Sequence, residues 1–137
     1  DYSPGSSQFD WLKADLSNSS KTWKIVVLHE PGWSAGGGYE NNTAVQNYLQ
    51  PLFEQTGVTL VLAGHNHYYA RAEVNGVIHL TVGTGGAPLY TPLKYMPNVQ
   101  KIYLGNGYAR FQVEEAKLFG QFVSVDGQVQ DSFRIRR

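Results

Sequence analysis

The feature that most constrains this chain is a short apolar segment that ends in a glycine and two histidines. The segment 58–63 (VTLVLA) is apolar apart from one threonine, and Gly64-His65-Asn66-His67 follows it directly. A short apolar run that stops at a glycine is typical of a buried strand. Because such a strand holds its end rigidly, the sequence predicts two imidazoles at a fixed tip of a sheet.

A second strand with a terminal histidine is predicted upstream. Residues 24–28 (KIVVL) form a β-branched run that ends at His29-Glu30-Pro31. Its adjacent apolar positions predict a strand covered on both faces. A helix between the two strands completes a βαβ unit, so the strands are expected to be parallel.

The intervening helix carries recognisable start and stop signals. Thr43-Ala44-Val45-Gln46 matches a capping box, and apolar residues follow it at helical spacing. Pro51 is expected to kink or split this helix because proline removes an amide donor. Gly57 is the expected stop. An earlier amphipathic helix is predicted, with Ser7 as its N-terminal cap.

The remainder of the chain predicts antiparallel structure. Asn75-Gly76 is a strong two-residue hairpin signal between 69–74 and 77–82. Taken whole, the sequence predicts one α/β domain with a layered mixed β-sheet and flanking helices. We expect a βαβ core with the histidines over 1–86, a loop region over 87–107 and a C-terminal β meander over 108–137.

Composition narrows the classes of function. The chain has 137 residues with eleven basic and eleven acidic side chains and no cysteine. The balanced charge gives no sign of a nucleic-acid or membrane partner, and no apolar stretch approaches the ~20 residues of a membrane span. Thiolate metal sites and cysteine nucleophiles are excluded.

The start of the sequence gives weak indications of location. It opens at Asp1, and it contains two glycosylation sequons, at Asn18 and Asn41. We expect a mature, proteolytic or trimmed product of a secreted or periplasmic protein.

Three of the four histidines fall at the carboxyl ends of predicted strands: His29, His65 and His67. In open α/β sheets that edge is where ligands bind. A lone histidine at a strand end is usually a surface residue, but this set favours metal binding. Glu30, Asn66 and Tyr68 are candidates for lining the pocket, whereas His79 is expected to be an ordinary residue of its strand.

The residues alone leave the type of metal centre open. Three imidazoles suffice for a mononuclear zinc site with one open position. Glu30 and Glu40 are more typical of solvated loop residues than of ligands, and no aspartate ends a strand at this edge. A carboxylate-bridged dinuclear site therefore cannot be completed from this chain.

Several motifs, in order, carry a resemblance to a known family. The sequence resembles the C-terminal half of the calcineurin-like metallophosphoesterases, and within them the purple acid phosphatases most closely. The motifs are Gln8-x-x-Trp11-Leu12, the 24–31 segment, Pro51-Leu52-Phe53, 61–71 with Gly-His-x-His, Asn75-Gly76-Val77, Gly83-Thr84-Gly85-Gly86 and Asp131-Ser132-Phe133. The resemblance implies the corresponding half of an αββα sandwich.

The resemblance also implies an activity and a ligand set. His29 and His65 would bind the second metal and His67 the first, with Fe paired with Zn, Mn or Fe in the complete enzyme. The remaining ligands would come from an N-terminal half, so this chain alone would hold zero or one ion. The implied reaction is acid phosphatase-like hydrolysis of a phosphorylated small molecule or protein.

Other functions stay open at this point. The chain is alternatively a catalytically inactive truncated domain with weak metal binding or a structural role. A mononuclear zinc hydrolase with Glu30 as its base is a further alternative. Because a truncated sandwich leaves an apolar face uncovered, we expect a homo-oligomer or a partner chain at that face. Tyr90, Tyr95 and Tyr103 lie in a loop, 88–106, that is a candidate for bordering the pocket, although aromatic loop residues more often pack locally.

Overall fold

The computed structural model describes residues 1–93 and 96–137, so Tyr95 lies outside the described residues. Helices and strands alternate in the first half, and strands alone make up the second. In chain order they are α1 (Ser7–Asn18), β1 (Ile25–Val27), a π-helix (Val45–Leu49), α2 (Gln50–Thr56), β2 (Leu60–Ala63), β3 (Tyr69–Val74), β4 (Val77–Val82), β5 (Val99–Tyr103), β6 (Gly107–Val113), β7 (Lys117–Ser124) and β8 (Val129–Arg136).

The strands form two sheets. The larger has the order β1-β2-β4-β3-β5, in which β1, β2 and β4 are parallel and β3 is antiparallel to its neighbours. The smaller is the antiparallel meander β6-β7-β8. The predicted parallel pair is confirmed, as is the hairpin, where Asn75 and Gly76 both have positive φ as its two-residue turn requires.

The larger sheet is the middle layer of three. Val61 and Val77 face the helices and pack with Leu49 and Phe53. On the opposite face, Leu60 and Leu80 pack against the smaller sheet. The predicted α/β class with a layered mixed sheet is confirmed, and the layers run helices, mixed sheet, meander.

The helix ends follow the predicted chemistry with two corrections. Ser6, one residue before the predicted cap, accepts a hydrogen bond from the Phe9 amide. The capping-box prediction at Thr43 is wrong, because Asn42 Oδ1 accepts from the amides of Ala44 and Val45. An asparagine one residue earlier therefore satisfies the free amides.

Proline splits the second helix as expected. A π-helical turn occupies Val45–Leu49, and Pro51 lies in the first turn of α2, where its missing amide costs no hydrogen bond. Gly57 ends α2 with φ 74°, the left-handed conformation that glycine adopts without strain.

Two predictions about strands are wrong. The 87–107 region was expected to be a loop, but β5 pairs with β3 within it; prolines flank this segment and obscure a short strand. The first strand was expected to be covered on both faces, but Val27 is 75% exposed. β1 is an edge strand of the sheet, and the meander does not cover its outer face.

The helices are short relative to a bilayer. Within residues 1–93 and 96–137, none has the length and hydropathy that a membrane span requires.

Candidate metal centre

Two adjacent parallel strands bring His29 and His65 together. The backbone ladder continues beyond β1 and β2, since Leu28 donates to Leu62 and Gly64 donates to the carbonyl of His29. The His65 Nδ1 and His29 Nε2 atoms lie 3.1 Å apart. This juxtaposition is the one that the sequence predicted for the carboxyl ends of the two strands.

The separation of these two nitrogens fits a shared ion. Imidazole nitrogens bind zinc at about 2.0–2.1 Å, so two ligands at a near right angle are about 3 Å apart. His29 is exposed and His65 is half-buried, so both rings are accessible. In the absence of an ion, the same distance allows one ring to donate an N–H hydrogen bond to the other.

His67 is oriented by a backbone carbonyl. Its Nδ1 lies 2.7 Å from the carbonyl oxygen of Pro88. Since a carbonyl only accepts, Nδ1 carries the proton and Nε2 keeps its lone pair. Metal-binding histidines are commonly fixed in this way by a hydrogen bond from the other ring nitrogen. Nε2 is therefore the ring nitrogen of His67 that is available to bind an ion.

The tip that carries the histidines has a strained backbone. His65 has φ 62°, a left-handed conformation that is uncommon for residues with a side chain. The Asn66 amide donates to Gly64 and the Tyr68 amide donates to Asn66, which gives two tight turns in succession. Strain of this kind persists where surrounding contacts hold it, as they do at functional sites.

Asn66 supplies those contacts from inside the protein. It is fully buried, its Oδ1 accepts from the Tyr39 amide at 2.7 Å, and its amide nitrogen donates to Ser34 Oγ and to the Tyr39 carbonyl. At Gly83 an added Cβ would lie 2.2 Å from the Asn66 carbonyl oxygen, so only glycine allows this close approach.

The pocket-lining candidates differ in their placement. Asn66 and Tyr68 are fully buried, and their role in lining the pocket stays a prediction. Glu30 is exposed, and its carboxylate accepts a 2.6 Å hydrogen bond from the Asn42 side chain. The side-chain oxygen of the same asparagine, Asn42, accepts from the Val45 amide at the start of the π-helix. The hydrogen bond between Glu30 and Asn42 therefore links Glu30 to the loop after β1. A role for Glu30 in lining the pocket stays a prediction.

The histidines are not joined by acidic ligands. Across residues 1–93 and 96–137, no three His, Cys, Asp or Glu side chains are grouped closely enough to hold an ion. The structure thus brings His29 and His65 together, and holds His67 separately by its contact with Pro88. The assignment of these three residues as ligands stays a prediction.

Two neighbours of the histidines escaped the sequence analysis. Tyr39 packs on His65 with ring centroids 4.1 Å apart, and the Pro88 carbonyl orients His67. Tyr39 could have been found from the sequence, because it is an aromatic residue directly after the glycine run 36–38. The Pro88 contact could not, because its acceptor is a backbone carbonyl that any residue carries. Of the tyrosines in the 88–106 loop, Tyr90 stacks on His67 with ring centroids 4.2 Å apart.

Relatives of this chain are purple acid phosphatases. Purple acid phosphatase 18 of Arabidopsis thaliana is 35% identical over 98 residues, which are 63% of this chain and 22% of the relative. The purple acid phosphatase of Glycine max is 29% identical over 102 residues. The chain spans about a fifth of the length of the curated relatives it matches.

A solved structure shares the fold over the whole chain. The purple acid phosphatase PPD1 from yellow lupin (Lupinus luteus) seeds matches with a TM-score of 0.90 and 24% identity, covering 100% of this chain and 29% of the lupin chain. The calcineurin-like phosphoesterase family model matches residues 1–69, which is half of the sequence and includes His29, His65 and His67. The chain belongs to the calcineurin-like phosphoesterase family.

Proposed function

We propose that this chain supplies the histidine ligands of a dinuclear metal centre that hydrolyses phosphomonoesters, as in an acid phosphatase. The observation that carries the proposal is the 3.1 Å separation of His65 Nδ1 and His29 Nε2 at the ends of adjacent parallel strands. Family membership supports phosphoester hydrolysis as the reaction class.

The proposed division of ligands is the one that the family resemblance implies, and the contact between His29 and His65 supports it. His29 and His65 bind one ion, and His67 binds the other through Nε2, with Fe paired with Zn, Mn or Fe. Such ions supply Lewis-acid activation of the phosphate and of the attacking water. The histidines of this chain position them, and the Pro88 carbonyl keeps the proton of His67 on Nδ1.

The remaining ligands come from a partner segment in this proposal. Because the described residues group no carboxylate with the histidines, the bridging carboxylate and the amide ligand belong to an N-terminal half. The substrate is a phosphorylated small molecule or protein, and the enzyme is secreted or periplasmic. Nucleic acid and membranes are not proposed as partners, since eleven basic residues balance eleven acidic ones.

A second candidate function is an inactive domain with weak metal binding or a structural role. The same lack of a three-ligand group within the described residues favours it. The reading frame upstream of Asp1 separates the two candidates. Aspartate and asparagine segments of the Asp-x-His, Gly-Asp-x-x-Tyr and Gly-Asn-His kinds would support the phosphatase.

Elemental analysis of the purified chain, beside a phosphomonoester assay, tests the site directly. We expect at most one ion per chain, reduced in His67→Ala or His29→Ala and unchanged in the exposed control Glu115→Gln. An ion that the wild-type chain binds and that neither histidine substitution removes would refute the ligand assignment. Turnover by this chain alone, lost on chelation, would refute the claim that a partner segment completes the site.

A further inference from the structure

Each histidine of the β2–β3 tip has a tyrosine packed on its ring. The Tyr39 and His65 centroids are 4.1 Å apart with planes at 32°, and those of Tyr90 and His67 are 4.2 Å apart with planes at 16°. Tyr39 and Tyr90 meet edge to face at 6.0 Å. We call this pair of tyrosines the aromatic wall.

The aromatic wall is attached to the same tip as the histidines. Asn66 binds both the amide and the carbonyl of Tyr39, and the Tyr90 amide donates to the carbonyl of His67. The Tyr90 ring also packs closely against Gly38, where an added Cβ would lie 2.5 Å from that ring. These contacts fix both tyrosines relative to the histidines, so the wall is part of the site rather than a mobile flank.

The aromatic wall presents apolar surface next to the ligands. Tyr39 is 52% exposed although one of its faces packs on His65. Leu89 and Leu93 are exposed on the segment that carries Tyr90, and the Leu93 amide donates to Ala35 in the loop that carries Tyr39. The two loops therefore extend the apolar surface outward from the histidines. An exposed tyrosine ring offers a planar surface on which another aromatic ring stacks.

We propose that the aromatic wall binds the planar leaving group of the substrate, so that aryl phosphate esters are the preferred substrate class. The proposal rests on the proposed function, because the phosphate must be held by ions at the histidines. With the phosphate there, an aryl group leaving toward the wall contacts Tyr39, while a small alkyl group reaches no comparable surface.

Binding of two phosphonates that cannot be hydrolysed tests this inference without turnover. The full chain with Zn²⁺ is titrated with phenylphosphonate and with methylphosphonate, and affinities are read from NMR shifts of the aromatic protons. We expect phenylphosphonate to bind about threefold to tenfold more tightly and to shift the Tyr39 resonances. Tyr39→Ala should abolish this preference, and Tyr39→Phe should keep it because stacking needs the ring and not the hydroxyl. Tyr108→Ala, at a residue 54% exposed on β6, is the matched control and should keep it.

The outcomes separate the two proposals. Equal affinity for both phosphonates would overturn the role of the wall and leave the metal assignment standing. Loss of the preference in Tyr39→Phe would also overturn it, since a hydroxyl contact would then be responsible. Failure of both phosphonates to bind to a chain that holds Zn²⁺ would overturn the inference and leave the proposed function standing, because that function requires the N-terminal half to complete the site. Zn²⁺ affinity is measured on every variant, so that a change at His65 is recognised.

Discussion

At the residue scale, Asn66 does more to shape the tip than its position between two histidines suggests. Its side chain makes three hydrogen bonds to the loop before the π-helix, and each would lose its partner in an alanine variant. A buried polar group left without a partner costs about 1–3 kcal/mol. The glycine-rich loop and the ligand tip are therefore coupled through one amide.

We expect Asn66→Ala to lower the free energy of unfolding by about 2–4 kcal/mol, measured by urea denaturation. Asn47→Ala, at an exposed position of the π-helix, is the control and should change it by less than about 0.5 kcal/mol. The Tyr39 amide should also exchange with solvent faster in Asn66→Ala. Equal stability of the two variants would contradict this account of the tip.

His79 is the fourth histidine, and it lies within β4 as expected. Its Nε2 is 2.8 Å from Gln50 Oε1, while the Gln50 amide nitrogen donates to Glu54 and to the Val74 carbonyl. The Gln50 oxygen is thus the acceptor, and His79 carries its proton on Nε2. Burial lowers the pKa of His79 from 6.5 to about 4, because the charged ring would lose its hydration.

Stability should therefore depend on pH through His79. Its pKa is lower in the folded state than in the unfolded state, so the unfolded chain binds more protons between about pH 6.5 and 4. In that window stability falls with decreasing pH, by up to about 1.4 kcal/mol per pH unit, and the loss levels off below pH 4. His79→Gln should flatten this slope in urea denaturation at several pH values. An unchanged slope would show that other groups cause it.

At the element scale, a polar cluster joins the two sheets. Asp131 on β8 accepts from Arg71 Nε at 2.7 Å and from the Tyr69 hydroxyl at 2.7 Å, both on β3. The Asp131 side chain is 7% exposed and that of Arg71 is 15% exposed. Hydrogen bonding to Asp131 raises the pKa of Arg71, so the guanidinium stays charged and depends on this carboxylate.

Asp131→Leu should destabilise the protein by about 3–5 kcal/mol, because it leaves a largely buried guanidinium without its counter-ion. The paired substitution Arg71→Met with Asp131→Leu should recover part of that loss, since no buried charge then remains. Glu115→Gln, at an exposed turn position, is the neutral control. Thermal unfolding of the three variants measures the effect, and a double variant no more stable than Asp131→Leu would contradict the charge-pairing explanation.

The elements that the sequence revealed are those with strong local chemistry. The helix end at Gly57 and the hairpin turn at Asn75-Gly76 could be predicted because the positive φ angles at these positions favour glycine and asparagine. The β2 run and the histidines after it were visible because a buried strand must be continuously apolar. His79 was recognised as a strand residue, but its contact with Gln50, 29 positions away, was not.

The features that escaped depend on contacts between distant segments. The outer face of β1 is exposed because the meander does not extend over it. The sequence of residues 24–28 carries no information about the extent of the meander. β5 pairs with β3 although the prolines near it in the sequence indicate a loop. The contacts of Tyr39 with His65 and of Pro88 with His67 join loops that are 26 and 21 residues apart in sequence. Local patterns do not specify such partners.

At the scale of the whole molecule, the β1 edge of the larger sheet exposes apolar side chains. Ile25 and Val27 on β1 are 41% and 75% exposed, and they share a face with Leu60 and Leu62 through the register of β1 and β2. Trp11 on α1 is 64% exposed and, with Val26 and Val27, lines a groove of about 290 Å³ beside this edge. Exposed apolar surface of this kind usually marks an interface.

We expect this edge to bind a second copy of the chain or a partner chain, because both the apolar side chains and the free backbone groups of an edge strand favour association. Val27→Lys should then weaken self-association about tenfold or more, since a valine side chain contributes roughly 1.5–3 kcal/mol when it is buried. Val125→Lys is the matched control, because Val125 is 81% exposed at the turn after β7 and this strand belongs to the smaller sheet, not to the sheet of β1. Sedimentation velocity over a range of concentrations measures the effect. A wild-type chain that stays strictly monomeric at all of them would reject self-association, and the partner chain would then be the remaining occupant of the β1 edge.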